Sequence, residues 1–516
     1  MKKTLLSILM LLSTLYGFSQ TKEFSKINKA SLKNSGILES KDGNNGYYFF
    51  YQYDKASKGK FTYILDLVDA NFKPIKKISV VRPIKDLLLE CTYNGSNFFL
   101  VFLNKKYEME ILSYTADGKR VGTKTTKKLT NYELALVKQR ANSDLLANNI
   151  IPVGKDAVIK LYNPMTNKAS KEKFSVECMD NALKPRWKYT SDNKTKMYEN
   201  PEYLYSSDKY LILSVTRFKS VFDNDAAQSI LMLDAKNGKK IYEQELNTKK
   251  NKKLYINTFF DEETSELVVA GEFYGPKDNT VKDKSLGIFF NKFDSLGHIV
   301  KSQELAWGKD FRKFAKLNPN GSNEENAYTF FHKIIKTEDD KFFIIGEQYK
   351  KTVSAMGIAT VVLSKGQSGG VMNFNVIDMV VMELDSAFEI QQVKTFDKKK
   401  NTVNLPGGYS YLSPPTISRV MNAMGFFDYL FTTQDKKNDR FYASYYSVEK
   451  NAKTKVREGY VGTIGYDKEI KHDKLVIKTD ANYVRIMQGK PGYVAFLEYY
   501  KKKKTMKVRL EKINIE

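Results

Sequence analysis

A repeat constrains this chain more than any other feature. Short runs rich in Tyr, Phe, Val, Ile and Leu return from one end to the other: YYFFYQYD (Tyr47–Asp54), NFFLVFLN (Asn97–Asn104), DAVIKLYN (Asp156–Asn163), KYLILSVT (Lys209–Thr216), ELVVAGEF (Glu266–Phe273), KFFIIGEQ (Lys341–Gln348), RFYASYYS (Arg440–Ser447) and GYVAFLEY (Gly492–Tyr499). Most follow an Asp, Gly, Asn or Lys turn, and their β-branched and aromatic content reads as strand. After most of them come a polar turn, a second apolar strand and a tight turn with its own wording. VDANFKP (Val68–Pro74) and MDNALKP (Met179–Pro185) are nearly the same sentence. FDSLGHI (Phe293–Ile299), LDSAFEI (Leu384–Ile390), LDAKNGK (Leu233–Lys239), YTADGKR (Tyr114–Arg120) and YDKEIK (Tyr466–Lys471) are related forms. An Asp that ends a strand accepts hydrogen bonds from the backbone N–H groups beyond it, and small residues tolerate the bend. The apolar residue after it is expected to re-enter the next strand.

Each unit reads as strand, strand, Asp-turn, strand, with a further strand leading onward, at a spacing of about 45 to 65 residues that suits a four-stranded propeller blade. Seven of the eight second strands are followed by the Asp-turn, and the eighth only by TMKVRLEKINIE, where the sequence stops. An N-terminal strand near 25–32 (SKINKASL, Ser25–Leu32) is expected to supply the missing outer strand and cover the edge that a half-built blade would leave. The fold class is therefore all-β: one closed propeller of four-stranded antiparallel blades, with eight blades favoured, seven as the alternative and two packed β-domains as the runner-up. Helical signals are scarce; the best are Glu133–Leu146 and Trp307–Leu317, read as excursions between blades.

With GEFY (Gly271–Tyr274) and GEQY (Gly346–Tyr349) ending second strands, and the Asp-turns above, the chain resembles secreted propellers with Kelch-like or WD40-like blades. It is most similar to exported propeller proteins of unassigned role from Bacteroidota-type bacteria. The resemblance covers nearly the whole chain after residue 19 but is architectural. Kelch double-glycine and WD40 Trp-Asp signatures are missing, so it transfers no functional residue.

Lys2 and Lys3 precede an apolar run from Leu5 to Leu15, with Ser19 before the expected cut. That is a secretory leader over residues 1–19, too short to span a bilayer, and the propeller is expected over 20–516. Residence is therefore read as periplasmic or extracellular, with association to the cell envelope open and no transmembrane segment after leader removal. Cys91 and Cys178 each sit in an apolar strand-like setting, which favours buried thiols over a disulfide. The formal charge of +25, from 84 Lys and Arg against 59 Asp and Glu, fits an acidic polysaccharide partner. The dense runs, KKNKK (Lys249–Lys253), KKK (Lys398–Lys400) and KKKK (Lys501–Lys504), lie between strands, however, where lysine commonly protects hairpin tips and edges. Nucleic acid is not expected as a partner.

Three histidines, His298, His332 and His472, with no metal-binding spacing, argue against a zinc site, and each is read as a surface or turn residue. GQSGG (Gly366–Gly370) fits the G-x-S-x-G nucleophile pattern. The sequence after it alternates like a strand instead of opening a helix, so Ser368 is placed in a loop inserted in the sixth blade. Asp223 and Asp225 in FDNDAAQ (Phe222–Gln228) lack the continuation of a calcium loop. Asp69, Asp180, Asp234, Asp294, Asp385 and Asp467 recur by position, which assigns them to turns. No catalytic or ligand-binding residue is singled out, and no metal or cofactor is expected. The reading is a non-enzymatic exported module that binds or scaffolds a protein or glycan; the alternative is a carbohydrate-active enzyme with a carboxylate pair in the central channel.

Overall fold

In the computed structural model each of the eight apolar runs forms the second strand of an antiparallel sheet. The structure describes residues 20–515 except 31, 41–42, 142–149, 165–170, 195, 221–225, 353–371, 406–408, 410–411 and 451–456. Eight such sheets follow one another as the blades of a propeller, at residues 29–83, 87–128, 151–190, 198–245, 252–306, 328–405, 429–477 and 483–512. Within the first seven blades the strands run in chain order from the inner to the outer edge. The first inner strand is split into Lys29–Ala30 and Gly36–Ser40, and the sixth blade gains a strand, Asn401–Leu405, against Met372–Leu384.

Second strands are buried on both faces because each blade is packed between two others. Neighbouring blades share an apolar cluster: Phe50, Leu65, Phe98 and Leu112 join the first two, and Ile345, Val381, Phe441 and Ile464 join the sixth and seventh. The last blade meets the first in the same way, through Phe49, Val68, Leu497 and Val508. Among the described residues no sheet is closed on itself by hydrogen bonds, and the first and last blades meet through one strand. Thr21–Phe24 pairs antiparallel with Arg509 to Met506 as the outer strand of the eighth blade.

The expected segment, 25–32, does not form that strand. Lys26 adopts a left-handed φ of 58° and ends it. The chain then turns inward, burying Ile27, and Lys29–Ala30 pairs with Gln52 and Tyr51 of the first blade instead.

Five of the Asp-turns work by one mechanism. Asp69 Oδ1 accepts from the N–H groups of Asn71 and Lys73, and Asp180, Asp294 and Asp385 repeat the pattern two and four residues on. Asp234 accepts from Lys236 and Asn237. Asp467 differs: its carboxylate pairs with Arg440 at 2.8 Å. The apolar residue after the Asp does not re-enter the strand as expected. Phe72, Leu183 and Phe388 hold φ of 62° to 63° and are buried between blades, so the turn itself delivers a core side chain. The burial of a whole Phe or Leu, about 2 to 3 kcal/mol, outweighs a left-handed cost of about 1 to 2 kcal/mol.

Both cysteines are buried free thiols. The helix expected at Glu133–Leu146 begins earlier, at Asn131, where Glu133 accepts from the N–H and hydroxyl of Thr130; it is described to Ala141. Only Trp307–Asp310 is helical in the segment expected at Trp307–Leu317, because Trp307 and Phe311 are drawn into the core. Among the described residues no helix is long and apolar enough to cross a membrane. The segment read as a leader, Ser368 with GQSGG, and Asp223 with Asp225 lie outside the described residues.

Candidate functional site

Antiparallel blades separate their connections. Links between first and second strands, and between third and outer strands, leave one face of the disc and are short, as at 94–96, 154–156 and 181–184. Links between second and third strands, and from each blade to the next, leave the other face and include the long ones: 129–150, 275–286, 307–327 and 397–428. Long connections on a rigid scaffold are where binding residues concentrate. The largest, 397–428, carries Asn401–Leu405 and a helix, Pro414–Ala423, whose start is set by Ser413 accepting from Thr416 N–H and by proline in the first turn.

Two glutamates hold this segment down, and they are the acids of GEFY and GEQY. Glu272, buried in the fifth blade, receives Arg419 of the helix at 3.2 Å. Glu347, buried in the sixth, receives Lys398 at 3.0 Å, and the same ammonium reaches Asp428 at 2.5 Å. Glu347 also accepts from the backbone N–H groups of Asp428 and Tyr429, and Asn401 donates to Asp428 at 2.8 Å.

His332 completes the cluster. Its Nε2 lies 3.3 Å from Glu347 without hydrogen-bond geometry, and its ring stacks on Tyr429 at 4.7 Å. It is the extra residue of an inner-strand bulge between Phe331 and Lys333. The same bulge in four other blades holds Leu89, Leu204, Ile256 and Leu430.

These environments drive the two acids apart. Burial, helped by the charge of Glu347, pushes the Asp428 carboxyl up to about 6 despite Lys398. Burial also acts on Glu347, but His332 and Lys398 outweigh it and hold that carboxyl below its ordinary range. Separated acid strengths resemble an acid/base pair, yet the Glu347 and Lys398 side chains have 0% exposure and the lysine stands between the carboxylates. The cluster is a buried clamp.

Solvent reaches a different group beside it, at the channel end of the same face. Asn163, ending a second strand of the third blade, donates to Asn200 at 2.7 Å, and Asn200 donates to Glu202 at 3.4 Å, both on the fourth inner strand. Tyr255 of the fifth inner strand donates to Glu202 at 2.5 Å, and its carbonyl accepts from Arg419 at 2.7 Å. Burial holds the Tyr255 phenol well above its ordinary value, so it is a hydrogen-bond donor and not a nucleophile. Glu202 is exposed, and Arg419 is about a quarter exposed, at 26%. On the opposite face a cleft of about 550 Å³ lies between the third and fourth blades, where Arg186 pairs with Asp156 and Lys155 N–H donates to Asp208.

The sequence matches the family described as "Family of unknown function (DUF6770)" over residues 1–514. The chain belongs to the DUF6770 family. No curated protein sequence matches it. Among solved structures, this DUF6770 chain is similar to the quinohemoprotein alcohol dehydrogenase ADHIIG from Pseudomonas putida HK5, at 9% identity and a TM-score of 0.41, over 97% of this chain and 78% of that one. It is also similar to the uncharacterized protein lmo1340 from Listeria monocytogenes EGD-e, at 11% identity and a TM-score of 0.32, over 74% and 84%. At such TM-scores neither likeness bears on chemistry.

Two histidine expectations for the DUF6770 chain are corrected. His298 is exposed in its turn against Asp294, at 3.0 Å. His332 is buried, because an aromatic cage of Phe330, Phe427 and Tyr429 surrounds it. His472 is partly buried on an outer strand, with Tyr445 Oη 2.7 Å from its Nε2. The lysine runs are corrected too: Lys398 is internal, and Lys253 is buried over the Phe289 ring and paired with Glu304 at 2.9 Å. The helix at Pro414–Ala423 was not foreseen, although Ser413-Pro414-Pro415 is a helix-start signal.

Proposed function

We propose that this chain is an exported binding module in which a closed ring of eight blades presents its ligand site on the face of long connections. The site is the polar arc Asn163, Asn200, Glu202, Tyr255 and Arg419. The observation that carries this reading is that arc: side chains from three blades and one capping helix converge at the channel mouth, with an exposed carboxylate at the centre. Amides, a carboxylate and an arginine in one place suit a hydroxylated ligand such as a glycan.

Export rests on the leader read at residues 1–19, and ring closure on Thr21–Phe24 and on the apolar cluster shared by the first and last blades. The enzyme alternative draws no support from Glu347 and Asp428, whose shared lysine leaves no room for a reacting sugar. An oligosaccharide panel probed with wild type and with Glu202→Ala, matched for melting temperature, tests the proposal. The expected result is retention of at least one glycan class by wild type, weakened about tenfold or more in the variant. Equal retention by both would remove the arc from the reading.

A further inference from the structure

We propose that the rim of the eighth and first blades, on the face of long connections, is a docking surface for an anionic lipid bilayer. Of the three lysine runs, only Lys501–Lys504 is exposed throughout, as the turn between the second and third strands of the eighth blade. Ile27 N–H donates to Lys504 O at 2.9 Å, which sets exposed Lys26 beside this turn. Asn28 N–H donates to Gln52 O, and exposed Lys29 pairs with Gln52 on the strand Gly43–Ser57. That strand runs on to the tip of the first blade, about 16 Å further, where Lys58 and Lys60 are exposed. One carboxylate is recorded against these lysines among the described residues: Asp480, 3.9 Å from Lys503, both largely in solvent.

Two features favour a bilayer over an acidic polymer. First, exposed aliphatic side chains stand among the charges. Ile84, 44% exposed, is fixed at the tip by its N–H donating to Gly59 O, and Val81, 51% exposed, lies opposite Thr62. Lys85 follows at once, also exposed, while Arg82 is drawn inward by Asp86 and Glu110. Basic residues interleaved with aliphatic ones meet an interface with two signals, attraction to headgroups and insertion beneath them. Second, the rim is all lysine apart from that internal Arg82. Lysine is a hydrated point charge that senses the density of negative charge, whereas the arginine fork selects a particular anion geometry. This surface is separate from the polar arc, and neither depends on the other.

Sedimentation of the chain from residue 20 onward with phosphatidylglycerol/phosphatidylcholine vesicles tests the proposal, against pure phosphatidylcholine vesicles and soluble polygalacturonate. The expected result is binding to the anionic vesicles alone, weakened about tenfold by raising salt severalfold. The triple change Lys501→Ser, Lys502→Ser, Lys503→Ser should lower it about tenfold, and Ile84→Ser severalfold, with melting temperature retained. A control pair, Lys249→Ser with Lys250→Ser, should leave it unchanged. No binding to anionic vesicles, polygalacturonate binding in their place, an indifferent Ile84→Ser, or an equal loss in the control would each overturn the proposal.

Discussion

At the scale of the residue, neighbouring blades fit complementary side chains together at several of the Asp-turns. At two turns whose left-handed position is glycine, the outer strand of the preceding blade lays an aromatic ring on it; at a third, Gly118, Ile78 stands there instead. Trp187 covers Gly238 and Tyr242 covers Gly297, and an added Cβ at either glycine would lie 2.4 Å from that ring. Trp187 also donates from Nε1 to Ala235 O, which holds the ring in place. At Leu183, where the position is bulky, the outer strand yields: beside it stands Gly122, whose missing Cβ would meet Ala182 O at 2.5 Å. Gly238→Ala is therefore expected to cost about 2 kcal/mol or more, from the ring clash and the left-handed backbone together. In a Trp187→Ala background it should cost only about 1 kcal/mol. Denaturant melts of the four proteins measure the coupling, and equal costs in both backgrounds would disprove it. The Asp of these turns was legible in the sequence because its chemistry is local. The handing of Phe72, Leu183 and Phe388 to the core was not, since it depends on which side chain the adjoining blade presents.

At the scale of the element, the segment 397–428 is an insertion tied down by ion pairs, of which the buried Lys398 cluster gives it a pH response. Asp428, pushed by burial to about 6 from an ordinary 3.8, binds a proton in the folded chain between those limits that the unfolded chain does not bind. Its contribution to stability is greatest at the acid end and falls as pH rises from about 4 to about 6. Glu347, held low, acts in the opposite sense: its contribution is present above 4.5 and is lost as pH falls below. Asp428→Asn keeps Lys398 paired with Glu347 and removes the first effect alone. From pH 5 to 7 the wild-type melting temperature should fall relative to that of the variant by about one to a few degrees. Parallel profiles by calorimetry would reject the assignment. Second strands were readable because burial on both faces leaves an unbroken apolar run between turn signals. The clamp was hidden because KKK in isolation reads as a solvated tip, and only the fold shows that Lys398 has two carboxylates waiting for it.

At the scale of the whole molecule, the first and last blades are joined by four residues, Thr21–Phe24, and by the apolar cluster that Phe24 enters. Phe24→Ala should cost about 3 to 5 kcal/mol in urea melts, as for other large-to-small changes in a core. It should also uncover the edge of Thr505–Lys512 and promote association that grows with concentration. A cost below about 1 kcal/mol would mean that the join contributes little. The architecture was legible through its repeat, down to the need for an N-terminal strand, but the strand's exact place was not, because the backbone reversal at Lys26 carries no sequence signal. This join has a temporal side. Thr21 pairs with Arg509, so this strand leaves a ribosome nearly 500 residues ahead of its partner. At roughly 5 to 20 residues per second that delay is about 25 to 100 s. For all that time the nascent chain holds an unmatched strand, and a chaperone or translocation apparatus that grips an unfinished polypeptide has that interval in which to act.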